Sequence, residues 1–156
     1  MLGHQYAIEG TVVEGARRGR EIGFPTANLS TPNELIPPHG VYATTVTIDG
    51  ALHPSVTNIG QRPTFGDQLT TTIETHILPF DSRRGGDATA PLAQGDAAAA
   101  LAQGLRAPLD LYGHTLRLAF VQRLRDERKF PDLEALQDQI AADVRRATRL
   151  FDRLSI

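Results

Sequence analysis

Short β-branched stretches of alternating polarity recur along this chain, and a stripe of apolar residues three or four apart occupies its end. Tyr6 to Val13 is of the first kind and closes on Gly15, which predicts a strand running into a glycine-containing loop. Val41 to Ile48 predicts a second long strand. Asp49-Gly50 is the best two-residue hairpin signal in the sequence, and it turns the chain antiparallel into Leu52 to Ile59. Asn58 to Gly66 combines two glycines with Pro63 and reads as an irregular loop carrying Arg62. Leu69 to Leu78 is again strand chemistry. Its alternation places Thr71, Ile73, Thr75 and Ile77 on one face and Thr72, Glu74 and His76 on the other, so Glu74 is the carboxylate of that strand. Leu109 to Gly113 and Thr115 to Val121 predict further strands separated by a turn at Gly113-His114. Beyond Pro131 the period changes. Asp132 is placed to cap a helix in which Leu133, Leu136, Ile140, Val144, Ala147, Phe151 and Leu154 form one stripe. Six or so strands followed by one helix predict a mainly β protein, a closed β-barrel with a long C-terminal α-helix covering the sheet.

Composition narrows the class. A chain of 156 residues reads as a single domain, and its Gly-, Ala-, Asp- and Gln-rich stretch at 82–108 reads as an insertion within it. Sixteen basic against eighteen acidic side chains give a net charge of -2, which supplies no general field for nucleic acid or an anionic membrane, so neither is expected as a partner. The absence of cysteine removes disulfides, thiolate metal sites and cysteine nucleophiles together. No apolar run approaches the roughly 20 residues of a membrane span, and no secretory pattern opens the chain. The expected location is the cytoplasm.

Local chemistry concentrates in Gly15-Ala-Arg-Arg-Gly-Arg-Glu-Ile-Gly-Phe-Pro-Thr-Ala-Asn28. Gly15, Gly19 and Gly23 let the backbone approach a ligand, while Arg17, Arg18 and Arg20 bring positive charge suited to phosphate. Glycine spacing alone equally fits an ordinary surface loop, and the stretch matches neither the P-loop nor the dinucleotide fingerprint. Thr26 and Asn28, two apart in an extended segment, present oxygens to one side, as a magnesium ion beside phosphates requires; strand and turn hydrogen bonding is the alternative for both. Glu74 is a candidate general base, or else a solvent-facing strand glutamate. The five histidines include no pair at metal-ligand spacing, which argues against zinc. Leu124 to Phe130 bridges the last strand and the helix. Phe130 either fills the core or flanks a flat heteroaromatic ring, with Arg125 and Glu127 addressing its polar parts.

Taken together, Gly23-Phe-Pro-Thr-Ala-Asn28, Gly40-Val-Tyr42, Asn58-Ile-Gly-x-Arg-Pro-Thr-Phe65, Glu74-Thr-His76, Leu111-Tyr-Gly113 and Leu124-Arg-x-Glu-x-Lys-Phe130 resemble riboflavin kinase, in particular the C-terminal kinase module of bacterial bifunctional FAD synthetases. The resemblance covers nearly the whole chain apart from 82–108. It implies a six-stranded antiparallel Greek-key β-barrel that transfers the γ-phosphate of ATP to the ribityl 5′-hydroxyl of riboflavin, giving FMN and ADP. By that likeness Thr26 and Asn28 serve magnesium and Thr26 also lies near the nucleotide phosphates. Glu74 is the catalytic base, Gly15 and Arg20 belong to a flap over ATP, and Tyr112 lies near the nucleotide. Arg125, Glu127 and Phe130 fall on the flavin side. The family's bacterial members usually carry an N-terminal FMN adenylyltransferase module, and this chain starts at the kinase boundary. Two rivals from other classes are a non-catalytic barrel that carries flavin or nucleotide and an oligonucleotide-binding barrel. The latter fits poorly with the net charge and with only 6% aromatic residues.

Overall fold

Six antiparallel strands close into a barrel in the order β1-β2-β5-β4-β3-β6. They are β1 (Ala7–Val13), β2 (Ala27–Ser30), β3 (Gly40–Ile48), β4 (Ala51–Pro63), β5 (Leu69–Ile77) and β6 (Thr115–Arg125), and the helix α1 (Leu133–Leu154) follows. The computed structural model describes residues 6–13, 26–48, 50–63, 66, 68–78 and 113–154. The glycine loop with Gly15 and Arg20, the 82–108 insertion, the expected strand at 109–112 and Tyr112 lie outside these residues. None of the helices among them is long and apolar enough to cross a membrane.

The expected hairpin forms. Ile48 pairs with Ala51 across a two-residue connection in which Gly50 takes a φ of 82°, a conformation costly for a residue with a Cβ. Strands β3, β4 and β5 make a meander, and β6 returns beside β3, which is the Greek-key arrangement. The stretch from Asn58 onward departs from the expected loop. The β4–β5 ladder continues from Ser55↔Ile77 to Pro63↔Leu69, so Asn58, Gly60 and Arg62 stand on a regular strand. Pro63 is the last residue of β4, where a missing N–H interrupts no further ladder bond.

Alternation separates two apolar cores. Ile8, Val12, Leu29, Tyr42, Val46, Ile48, Ile59, Ile73, Leu116, Leu118 and Phe120 fill the barrel. Burial of each such side chain contributes about 1.5–3 kcal/mol. Between them runs a buried hydroxyl chain in which Thr44 bonds Ser55 at 2.6 Å and Thr57 at 2.7 Å, and Thr57 donates to Thr75 at 2.8 Å. Every one of these hydroxyls thus has a partner, which removes the penalty of placing it in an apolar interior.

The second core lies outside the barrel, where Val41, Ala43, Val56, Leu78 and Leu124 receive Ala147, Leu150 and Phe151 of α1. Two irregularities in the β3–β6 register make this possible: Thr44 pairs with Phe120, Ala43 with Gln122, Tyr42 with Arg123 and Val41 with Arg125. The residues skipped on β6 are Val121 and Leu124, and both pack against the helix. Val121 faces outward by alternation from Phe120, and the extra residue there shifts the phase so that Leu124, which regular alternation would turn inward, faces outward too. Arg146 of α1 donates to the Leu124 carbonyl at 2.5 Å, satisfying an acceptor at the bulge. At the start of α1, Asp132 accepts from the Ala135 N–H at 2.7 Å, the expected cap.

Candidate active site

A row of paired residues crosses the outside of the barrel wall. Val13 pairs with Asn28, Asn28 with Glu74, Glu74 with Asn58, and Asn58 with Val41. The neighbours of these residues along each strand, Val12, Leu29, Ile73 and Ile59, fill the barrel, so the row faces outward. Asn28 and Glu74 come from strands far apart in sequence, and the β2–β5 ladder makes them direct cross-strand neighbours, about 4.5–5.5 Å apart at Cβ. Thr26, half-buried, precedes β2 by one residue and falls on the Asn28 side by alternation. This places two oxygen-bearing side chains beside one carboxylate.

Two residues join this group for which no role was expected, although both stand in the Asn58 to Phe65 motif that carries the family resemblance. Arg62 donates from Nη2 to Glu74 Oε1 at 2.7 Å, with side-chain exposures of 36% and 25%. Asn58 stands opposite Glu74, and its Oδ1 is buried with no hydrogen-bond partner among the described residues. A buried acceptor left unpaired costs about 1–3 kcal/mol. Neither residue carries a composition signal of its own, because Asn58 and Arg62 sit among the glycines and proline that suggested a loop.

The segment after β6 reaches the same wall. Gly60, two residues beyond Asn58 on β4, has the Glu127 carboxyl directly over it: a Cβ there would lie 2.8 Å from Glu127 Cδ and closer still to Oε1. Arg125 anchors the segment. Its Nε donates to both Asp143 oxygens at 3.0 and 3.1 Å, its Nη2 to Asp143 Oδ2 at 2.8 Å and its Nη1 to the Asp126 carbonyl at 2.9 Å. Gln139 donates to Asp143 as well, at 3.0 Å. Asp143, a polar break in the apolar stripe of the sequence, is therefore the buried partner of Arg125. Two guanidinium groups lie over the Phe130 ring, Arg125 Cζ at 5.7 Å and Arg128 Cζ at 5.9 Å from its centroid, in cation–π contact.

Of the residues expected at a site, the structure gathers Asn28, Glu74 and Glu127 on one wall, with Thr26 at its edge and Phe130 on the segment that carries Glu127. Arg125 faces α1, and all three of its side-chain nitrogens have protein partners. No group of three or more His, Cys, Asp or Glu suited to a metal occurs among the described residues. The oxygens of Thr26 and Asn28 suit a hard cation that takes most of its remaining ligands from water and phosphate.

Comparison with known proteins gives this wall a context. The family model for riboflavin kinase, the Flavokinase family, matches residues 2–151. A bifunctional riboflavin kinase/FMN adenylyltransferase of Bacillus subtilis is 32% identical over 157 residues, covering 99% of this chain and 41% of its own length. An RNA-binding riboflavin kinase of the same organism is 32% identical over 149 residues, covering 96% of this chain and 53% of its own. Among solved structures, a crystal structure described as a macrolide-efflux protein from Streptococcus pneumoniae matches with a TM-score of 0.67 at 30% identity, over 91% of this chain and 38% of that one. The chain thus spans about two fifths to one half of the two curated relatives. The second of those names joins riboflavin kinase to RNA binding, so the exclusion of nucleic acid from net charge does not hold for every relative.

Proposed function

Because the chain belongs to the riboflavin kinase family, we propose that it transfers the γ-phosphate of ATP to the ribityl 5′-hydroxyl of riboflavin, giving FMN and ADP. The observation that carries this reading is the pairing of Asn28 with Glu74, which sets an oxygen ligand for a cation beside a carboxylate on rigid strands. In the reaction the ribityl oxygen forms a bond to the γ-phosphorus, the bond from that phosphorus to the β,γ-bridging oxygen breaks, ADP leaves, and the hydroxyl proton passes to Glu74. A carboxylate carried on a rigid strand suits such a role, because an in-line attack depends on a fixed orientation of the groups involved.

A magnesium ion held by the Thr26 hydroxyl and the Asn28 side-chain carbonyl would neutralise charge on the phosphates. Asn58, opposite Glu74 on β4, extends the polar part of this wall. Glu127 and Phe130 address the flavin, and the Arg125–Asp143 pair holds their segment against α1. Gly15, Arg20 and Tyr112 belong to the same reading as residues around ATP. The decisive experiment incubates the protein with ATP and riboflavin, with and without magnesium, and follows FMN by chromatography. Magnesium-dependent FMN supports a kinase, whereas flavin binding without turnover supports a carrier barrel.

A further inference from the structure

Arg62 and Glu74 are four ladder steps apart, since Arg62 pairs with Thr70 while Glu74 pairs with Asn58. At about 3.3 Å per residue that offset is roughly 13 Å along the strands, so the two side chains must reach toward each other to meet. They meet at 2.7 Å through one arginine nitrogen and one carboxylate oxygen, Oε1. Gly60 lies between Asn58 and Arg62 on the same face of β4 and adds no side chain of its own there, the space above it being taken by the Glu127 carboxyl.

Stability gives little reason for this contact. Partly exposed ion pairs contribute about 0–1 kcal/mol, and ordering two long side chains works against them. Catalysis gives a better one. A carboxylate that accepts a proton during phosphoryl transfer needs one oxygen aimed at the nucleophile, and rotation about its last bond would blur that aim. A bond from Arg62 to Oε1 would restrict that rotation and leave Oε2 to meet the attacking hydroxyl. The guanidinium also stands beside Glu74, where the incoming phosphoryl group adds negative charge near a carboxylate that already carries it.

We propose that Arg62 is a positioning residue for phosphoryl transfer, holding Glu74 by Oε1 so that its other oxygen meets the ribityl hydroxyl. The proposal rests on the kinase reading.

The test compares the wild-type protein with Arg62→Ala, Arg62→Gln and Arg62→Lys in steady-state FMN formation with magnesium and ATP. Arg62→Ala and Arg62→Gln are expected to lower kcat by about 10- to 100-fold while the KM for riboflavin stays within about 3-fold, a pattern that marks an interaction exerted in the transition state. Arg62→Lys is expected to recover part of kcat, and guanidinium ion in solution is expected to restore part of it to Arg62→Ala. In a Glu74→Gln background, Arg62→Ala is expected to have no further effect on kcat, because its role runs through that carboxylate. A kcat within about 3-fold of wild type, a loss confined to KM, or the same fold-loss in the Glu74→Gln background overturns the proposal. Wild-type protein that makes no FMN overturns the kinase reading itself; active wild type with an indifferent Arg62 overturns only the positioning role.

Discussion

The Glu127 carboxyl occupies the space in which a side chain at Gly60 would begin. Gly60 does not require a left-handed backbone, so alanine is conformationally allowed there and would restrict the unfolded chain, a gain of about 0.4–1 kcal/mol. The obstacle is the far end of a flexible side chain, which can swing away. Gly60→Ala is therefore expected to fold with an unchanged or slightly raised denaturation midpoint while displacing Glu127 and weakening riboflavin binding several-fold. Flavin fluorescence titration checks this. In a Glu127→Ala background the same substitution is expected to leave flavin affinity unchanged, since the displaced group is gone.

Glu74→Gln keeps the shape of the side chain, removes its ability to take a proton and weakens its pairing with Arg62. FMN formation is expected to fall by about 10²–10⁴-fold while riboflavin still binds. Near-normal turnover in the same assay would remove Glu74 from the role of base.

Two ion pairs in this region should behave differently when broken. Arg125 and Asp143 have side-chain exposures of only 16% and 6%, and Asp143→Ala strands the arginine in a largely dry site at a cost of about 3–5 kcal/mol. Arg123 pairs with Asp126 at 2.6 Å, but the Asp126 side chain is 82% exposed, and Asp126→Ala is expected to leave stability nearly unchanged. Urea denaturation of the two variants measures the difference, and equal losses would show that the Arg125–Asp143 pair is not the stronger clamp.

His53, half-buried on β4, has its Nε2 buried without a partner among the described residues, and burial lowers its pKa from the ordinary 6.5. In the unfolded chain the ring takes up a proton at a higher pH than it does in the folded protein. Stability associated with His53 is therefore present above the unfolded pKa and declines as pH falls below it. Between about pH 7.5 and about pH 5.5 the wild type is expected to lose more melting temperature than His53→Gln, which has no ring to protonate. Parallel losses in the two proteins would mean that His53 does not contribute.

The elements were legible from short-range signals. Asp49-Gly50 marked the tight turn, Asp132 the helix cap, and the period of the residues from Leu133 to Leu154 the helix, because each is decided by neighbours within a turn or two of chain. Alternation also assigned Glu74 to the face opposite Ile73 and Thr75. The same local rules misread Asn58 to Pro63, whose glycine and proline suggest a loop, because pairing with β5 outweighs turn propensity once the meander forms.

Residue types and spacing by themselves determined a barrel with a helix, the motifs that resemble riboflavin kinase, and Thr26, Asn28 and Glu74 as candidates. Tertiary structure alone decided that Asn28 and Asn58 flank Glu74 on adjacent strands, that Arg62 grips its carboxylate, and that Asp143 holds Arg125 under the segment carrying Glu127. Strand order and the bulges at Val121 and Leu124 set those neighbours, and both depend on which distant segments pair. Local propensity says that a segment is extended and which way its side chains alternate. Barrel closure supplies the register, and a shift of one residue in the β2–β5 ladder would turn Asn28 away from Glu74.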